Sequence, residues 1–220
     1  MNPVAKRIVT ALTVAAGVAA AVLYAPTAAF PLAVGVLVAL ALMEFYQLTW
    51  RKMGKFSQDM LMVLLPGTFF IVGGLWSLSV IGTTYGSEML LYVVAIVKLS
   101  DMGGFAFGMS SARLMKGGNH KLCPSISPGK SWEGLAGSVV ASVLMSWWLQ
   151  GVTGFGMGKT VVFGVVAAVV GTAGDLVESK FKRWVGAKDS STMKITNGMG
   201  GFLDMLDSLL IAPSVLLAMI

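Results

Sequence analysis

The sequence predicts an all-α, polytopic integral membrane protein with about seven transmembrane helices in a single domain over 1–220. Composition, the recurrence of long apolar runs and the placement of basic residues all point there. Of 220 residues, 56% are hydrophobic and 12% charged, against roughly a quarter charged in soluble domains. The mean hydropathy is +0.81. Such a chain is not disordered, and a soluble enzyme is disfavoured. The net charge of +6 fits basic cytoplasmic loops better than a nucleic-acid surface, so no nucleic-acid partner is expected. A single cysteine, Cys123, excludes an internal disulfide and a CxxC pair, and a single histidine, His120, excludes a His-rich metal site.

A spanning helix needs about 17–25 mostly apolar residues. Seven stretches qualify or nearly so, at about 8–24, 28–48, 60–82, 88–108, 132–150, 160–178 and 199–220. The first ends near Ala25-Pro26-Thr27-Ala28-Ala29, which superficially resembles a leader cleavage site. A second apolar run follows at once and favours a hairpin of two spans. Lys6 and Arg7 precede span 1; Arg51, Lys52 and Lys55 follow span 2. Arg113, Lys116, Lys121 and Lys130 follow span 4, and Lys180, Lys182, Arg183, Lys188 and Lys194 follow span 6. All of the 16 Lys and Arg except Lys98 and Lys159 thus fall on one side, which the positive-inside rule makes cytoplasmic. The N-terminus is then inside and the C-terminus outside, in a multi-pass protein of the inner (plasma) membrane. The spans at about 8–82 form an N-terminal part, and about 88–220 carries the polar residues of interest.

There are 10 acidic residues. Asp101 lies late in span 4, Asp175 and Glu178 at the end of span 6, and Asp204 and Asp207 early in span 7. Given the directions of those spans, all five land near the cytoplasmic end of the membrane at similar depth. Asp175/Glu178 and Asp204/Asp207 are i,i+3 pairs, so each shares a helix face. Any one acid could be a solvated cap, and Asp204 and Asp207 suit the positive end of a helix dipole. Five converging from three spans are harder to explain so, because ionisable groups at membrane depth are costly and face a cavity or a partner. Oxygen-only ligation without Cys or His suits Mg²⁺ or Ca²⁺. Magnesium is usually held by one or two carboxylates together with substrate phosphates, which points to a polyphosphate ligand.

Between spans 4 and 5 runs a Pro/Gly-broken loop, Lys121 to Gly134, with Ser127-Pro128-Gly129-Lys130-Ser131 at its centre. Ser131 is a plausible N-cap for span 5, and a helix start beside Lys130 suits an anion. The run lacks the glycine spacing of a Walker A motif, and a basic loop often meets only lipid headgroups. Gly103-Gly104 after Asp101 suits close helix approach or a break. Lys98, three residues before Asp101, reads as an ion pair that keeps both tolerable.

Taken together, several blocks resemble phosphatidate cytidylyltransferases, also called CDP-diacylglycerol synthases. They are Lys6-Arg7-Ile-Val-Thr-Ala, Met43-Glu44-Phe45-Tyr46, Ser100-Asp101-Met-Gly-Gly-Phe-Ala-Phe-Gly108 and Ile126-Ser-Pro-Gly-Lys-Ser-Trp-Glu-Gly134. The likeness is strongest in Gly174-Asp175-Leu-Val-Glu178-Ser179-Lys-Phe-Lys182-Arg183, Lys188-Asp189-Ser and Gly200-Gly201-Phe-Leu-Asp204-Met-Leu-Asp207-Ser208. The blocks follow the family's order, with one or two fewer early spans than usual. Met199 stands where the family has histidine and Met205 where it has arginine, and Lys194-Ile195-Thr196-Asn197 replaces an apolar-Pro-Gly run.

The resemblance implies transfer of the cytidylyl group of CTP to phosphatidic acid in the bilayer, with Mg²⁺ as cofactor and a homodimer left open. It implies Asp175, Asp204 and Asp207 as metal ligands and catalytic groups, with Lys188 and Asp189 also catalytic. Asp101, Ser127, Lys130, Glu178, Ser179, Lys182 and Arg183 would bind or orient substrate. Three other readings stay open. A related CTP-dependent kinase of a polyisoprenoid or phytol-like alcohol would use one acid as general base. A catalytically impaired nucleotide- or lipid-binding relative would account for Met199 and Met205. A small transporter with intramembrane acids would lack the internal repeat common to that class.

Overall fold

The computed structural model describes Gly17, residues 19–187 and residues 201–220. After a helical stretch over 19–24, the chain forms α1 (Ala29–Met53), α2 (Gln58–Thr84) and α3 (Ser87–Leu114). A hairpin of β1 (Lys121–Cys123) and β2 (Ser127–Ser131) leads into α4 (Trp132–Trp148). After a single turn at Gln150–Thr153 come α5 (Met157–Val185), α6 (Phe202–Leu206), a 3-10 turn at Asp207–Leu209 and α7 (Ala212–Leu217). Most of the span expected at 8–24 lies outside the described residues.

The long helices begin and end where local chemistry requires. Gly54 terminates α1 with a φ of 68°, its N–H donating to the Trp50 carbonyl, a left-handed cap that glycine adopts without strain. The Ser57 hydroxyl accepts from Met60 N at the start of α2 (3.2 Å), and Ser131 accepts from Gly134 N at the start of α4 (3.0 Å). Helices α1, α2, α3 and α5 are each long and apolar enough to cross a membrane. At 1.5 Å per residue they measure roughly 38–44 Å, more than the ~30 Å hydrocarbon core. With 17 residues, α4 sits at the short limit of about 17–25. Large apolar side chains such as Leu32, Met62, Phe69, Phe105 and Trp148 face outward, as lipid-facing residues do. The architecture is that of an all-α membrane protein, with the hairpin as its β element where a loop was expected. Ile126 N donates to the Cys123 carbonyl and closes the turn, which Pro124 alone does not prevent.

Small residues let α3 and α4 touch backbone to backbone. A Cβ on Gly103 would lie 2.7 Å from the Gly137 carbonyl oxygen and 2.4 Å from the Ala141 Cβ, so side-chain bulk is excluded from this seam. Buried hydroxyls tie α5 to the same pair. Tyr92 and Ser146 hydrogen-bond at 2.6 Å, and Ser146 Oγ donates to the Thr160 carbonyl at 2.9 Å. The apolar core, including Leu75, Ile81, Val93, Ile96, Phe163 and Leu216, fills the space between α1, α2, α3, α5 and α7.

The expected seventh span, 199–220, is not one helix. Its described part breaks into α6, the 3-10 turn and α7, with Pro213 in the first turn of α7. Lacking an N–H, Pro213 cannot continue an upstream helical ladder. Irregular backbone at membrane depth is tolerated where protein buries it, and here two glycines receive it. A Cβ on Gly74 would lie 1.8 Å from the Leu210 carbonyl oxygen, and one on Gly174 would lie 2.6 Å from that of Asp207. Ser214 bonds to Ser77 Oγ (2.8 Å) and donates to the Gly73 carbonyl (3.1 Å). The segment still traverses the depth of the bundle. Its end, the Ile220 carbonyl, accepts from Lys159 Nζ at 3.4 Å, near the start of α5 and about 24 Å along that helix from Asp175.

Gly73 and Gly74 therefore make a matched pair, since a Cβ at Gly73 meets nothing within 4 Å. Gly74→Ala is expected to lower the detergent-solubilised melting temperature, with an overpacking cost of about 1–3 kcal/mol. Gly73→Ala should leave it unchanged or raise it, because alanine favours helix by up to about 1 kcal/mol. Equal melting temperatures for the two variants would contradict the close approach of the 210 carbonyl.

Candidate functional site

Three carboxylates from three elements meet inside the bundle. Asp101 on α3, Asp175 on α5 and Asp207 in the 3-10 turn each present an oxygen, and these lie within 4.8 Å of one another. Gly174 makes this possible, since without a side chain it admits the Asp207 backbone against α5. Asp175 is buried; Lys130 pairs with its Oδ2, while its Oδ1 has no hydrogen-bond partner among the described residues. Like charges about 4 Å apart repel by about 4 kcal/mol at an effective dielectric of 20, so the cluster calls for a cation. An orphaned buried carboxylate oxygen in an all-oxygen donor set fits a hard divalent ion. These residues could hold a metal.

Lys130 reaches the triad from the hairpin. Burial disfavours its ammonium, but Asp175, followed by Asp101 and Asp207, more than offsets this and raises its pKa above the ordinary lysine value. The hairpin is tied at two points. Arg183 Nε, at the end of α5, donates to the Ile126 carbonyl (3.3 Å), and Glu133 accepts from both the His120 ring (2.6 Å) and its backbone N–H. Between the hairpin, α3 and α4 lies a cavity of about 380 Å³, lined by Asp101, Gly104, Asn119, Ser127, Lys130 and Ser131 among others. The Asn119 amide donates to the Gly108 carbonyl at 2.8 Å and fixes this wall.

A second polar cluster holds α6 in place. Lys182 Nζ lies 2.6 Å from Glu178 Oε2 and 2.7 Å from Asp204 Oδ1. Asp204 Oδ2 accepts from Gly201 N at 2.9 Å, and Glu44 Oε2, from α1, accepts from Leu203 N at 2.9 Å. Both carboxylates thus serve N–H groups that the first turn of a helix leaves unpaired.

Sequence reasoning placed Asp204 in the metal set and Asp101 outside it; the structure groups Asp101 with Asp175 and Asp207 and sets Asp204 against Lys182. Ser127 and Lys130 face the cavity, whereas Glu178 and Lys182 form the second cluster. Ser179 is half-buried on α5 and Arg183 is exposed at its end. Lys188, Asp189 and Met199 lie outside the described residues. Two further residues belong to this framework. Glu44 was legible only as part of the Met43-Glu44-Phe45-Tyr46 block, and Lys98 only as a neighbour of Asp101.

The model of the cytidylyltransferase family matches residues 54–220. The phosphatidate cytidylyltransferase of Haemophilus influenzae is 35% identical over 136 residues, 57% of this chain and 43% of that protein. Those of Staphylococcus aureus and Staphylococcus epidermidis are 40% and 41% identical over 125 residues, 56% of this chain and 45% of theirs. Each match spans less than half of the relative's length. The family match, by contrast, covers most of this sequence and includes all three clustered aspartates and Lys130: the chain belongs to the cytidylyltransferase family.

Proposed function

We propose that this protein transfers the cytidylyl group of CTP to phosphatidic acid, giving CDP-diacylglycerol and pyrophosphate. The observation that carries this reading is the convergence of Asp101, Asp175 and Asp207 with Lys130 at the edge of a polar-lined cavity. The names of the similar bacterial proteins support it. A phosphate oxygen of the lipid attacks the α-phosphorus of CTP, and the bond to the β-phosphate oxygen breaks. That nucleophile is already anionic near neutral pH, as phosphomonoesters with a second pKa of about 6 are, so no histidine base is needed. His120 is accordingly engaged by Glu133.

Asp101, Asp175 and Asp207 would hold the divalent ion, for which Mg²⁺ is the best candidate because it shares its shell between carboxylates and phosphates. When bound, it supplies charge neutralisation and orients the triphosphate. Lys130 adds positive charge on the cavity side, and Ser127 offers a hydroxyl there. Lys182 and Arg183 extend the basic rim, with Lys188 and Asp189 completing the expected set. Asp204 acts by fixing α6. In the membrane we infer seven crossings, the last through the broken 201–220 segment, with the site on the cytoplasmic side of a bacterial inner membrane. Lipid tails then reach the site sideways from the bilayer.

Purified protein given labelled CTP, Mg²⁺ and phosphatidic acid should form CDP-diacylglycerol. Labelling of an isoprenoid alcohol instead would favour the kinase reading. Asp175→Asn should lower turnover roughly 100-fold or more. Asp204→Asn keeps a cap for Gly201 N, since Asn and Asp rank together at N-caps, and should retain measurable activity. Its complete loss would return Asp204 to the metal set.

Lys130→Ala should cost about 1.5–3 kcal/mol for the lost charged hydrogen bond, or roughly a 10- to 150-fold drop in kcat/KM for CTP. Unchanged kinetics would make the hairpin a lipid-headgroup contact. Reporter fusions after Lys55 and Lys121 should both report cytoplasm, and a fusion after Ile220 the outside. A hairpin found outside would break the single-site geometry.

A further inference from the structure

We propose that Lys98 is a positioning residue that holds Asp101 and Asp207 in ligating arrangement. The proposal rests on the reading above that the aspartate triad takes a divalent ion.

Lys98 lies one turn before Asp101 on α3, in an otherwise apolar stretch where a charge is costly. A partly exposed i,i+3 pair at 3.8 Å is too weak a reason for a lysine there. Its ammonium makes stronger contacts across the bundle. Nζ donates to the Met205 carbonyl at 2.9 Å and to Ser208 Oγ at 2.9 Å. The Met205 carbonyl belongs to the last turn of α6, where carbonyls lack helical partners and a cation is favoured. Ser208 is fully buried, and its N–H donates to Asp207 Oδ1 at 2.7 Å. One ammonium therefore grips the chain on both sides of Asp207 while facing Asp101.

This places Lys98 opposite in role to Lys130. Lys130 pairs directly with Asp175 and faces the cavity. Lys98 is absent from the cavity lining and binds the turn that delivers Asp207. A neutral side chain at 98 would leave the Met205 carbonyl and the Ser208 hydroxyl without this donor and two carboxylates without their shared counter-charge. The triad would open, and an ion would have to close it again at the expense of its affinity.

The test measures Mn²⁺ binding by loss of the free-ion electron paramagnetic resonance signal, on full-length detergent-solubilised wild type, Lys98→Met, Lys98→Arg and Asp175→Asn. Lys98→Met is expected to weaken Mn²⁺ binding about 10- to 100-fold, the range for residues that orient metal ligands. Its half-saturating Mg²⁺ in the CTP assay should rise by the same factor, with kcat recovering at saturating metal. A merely structural loss would not be recovered by metal. Lys98→Arg keeps the charge and should fall between the two. Wild-type affinity in Lys98→Met, with binding abolished in Asp175→Asn, overturns the role of Lys98 alone. No Mn²⁺ binding by the wild type overturns the metal reading and this proposal with it. Should Lys98→Met not fold, Ser208→Ala removes one of the two hydrogen bonds and should still weaken Mn²⁺ several-fold; unchanged affinity there overturns the proposal.

Discussion

Charge burial at membrane depth is the constraint on which the rest of this structure depends. Counted as ionised, Asp101, Asp175 and Asp207 carry three negative charges, and Lys98 and Lys130 return two positive ones. A net deficit of one remains in a region packed among apolar helices. Such a site attracts a cation before it can attract an anion, because an unneutralised carboxylate cluster repels a triphosphate. On the proposed function, these carboxylates would accept a triphosphate only together with a divalent ion, and the lysines temper the negative charge that holds it. The Glu178–Lys182–Asp204 cluster has the same one-charge imbalance; Asp204 gives its oxygens to the ammonium and to Gly201 N, while Glu178 Oε1 is buried without a hydrogen-bond partner among the described residues.

The fold answers that constraint with backbone proximity. The glycine-lined seam of α3 and α4 fixes the wall that carries Asp101, while α5 carries Asp175 and Lys182 on one continuous helix. The third contribution comes from a segment that is not a spanning helix at all. A straight helix through 201–220 would place Asp204 and Asp207 on one face. The break after Leu206 lets Asp204 turn to Lys182 and Asp207 to the triad, so two acids three residues apart serve two clusters.

That break explains what could be read from the sequence and what could not. The apolar runs at 28–48, 60–82, 88–108 and 160–178 were legible because length and hydropathy alone define them, and each falls within a long helix. That Asp101, Asp175 and Asp207 come from separate spans and meet was legible from span direction. The separation of Asp204 from them was not, since helical periodicity was assumed across Leu206–Asp207. The hairpin escaped notice because Pro124, Pro128 and Gly129 read as loop punctuation, although two short strands pair around them. Lys98 was seen, but its partners lie more than 100 residues away in the chain, beyond the reach of any local pattern.

The broken C-terminal segment also bears on how the protein is made. It is held by Glu44 from α1, Gly74 and Ser77 from α2, Lys98 from α3, and Gly174 and Lys182 from α5. All of these emerge from the ribosome before the segment that needs them. Until it docks, Asp101 and Asp175 sit in the membrane without their third partner, and the groove that receives residues 207–210 stands open to lipid. Docking of this segment thus completes the packing and assembles the acidic site together. Until that docking, uncompensated charge faces the bilayer, where an unpartnered carboxylate is costly.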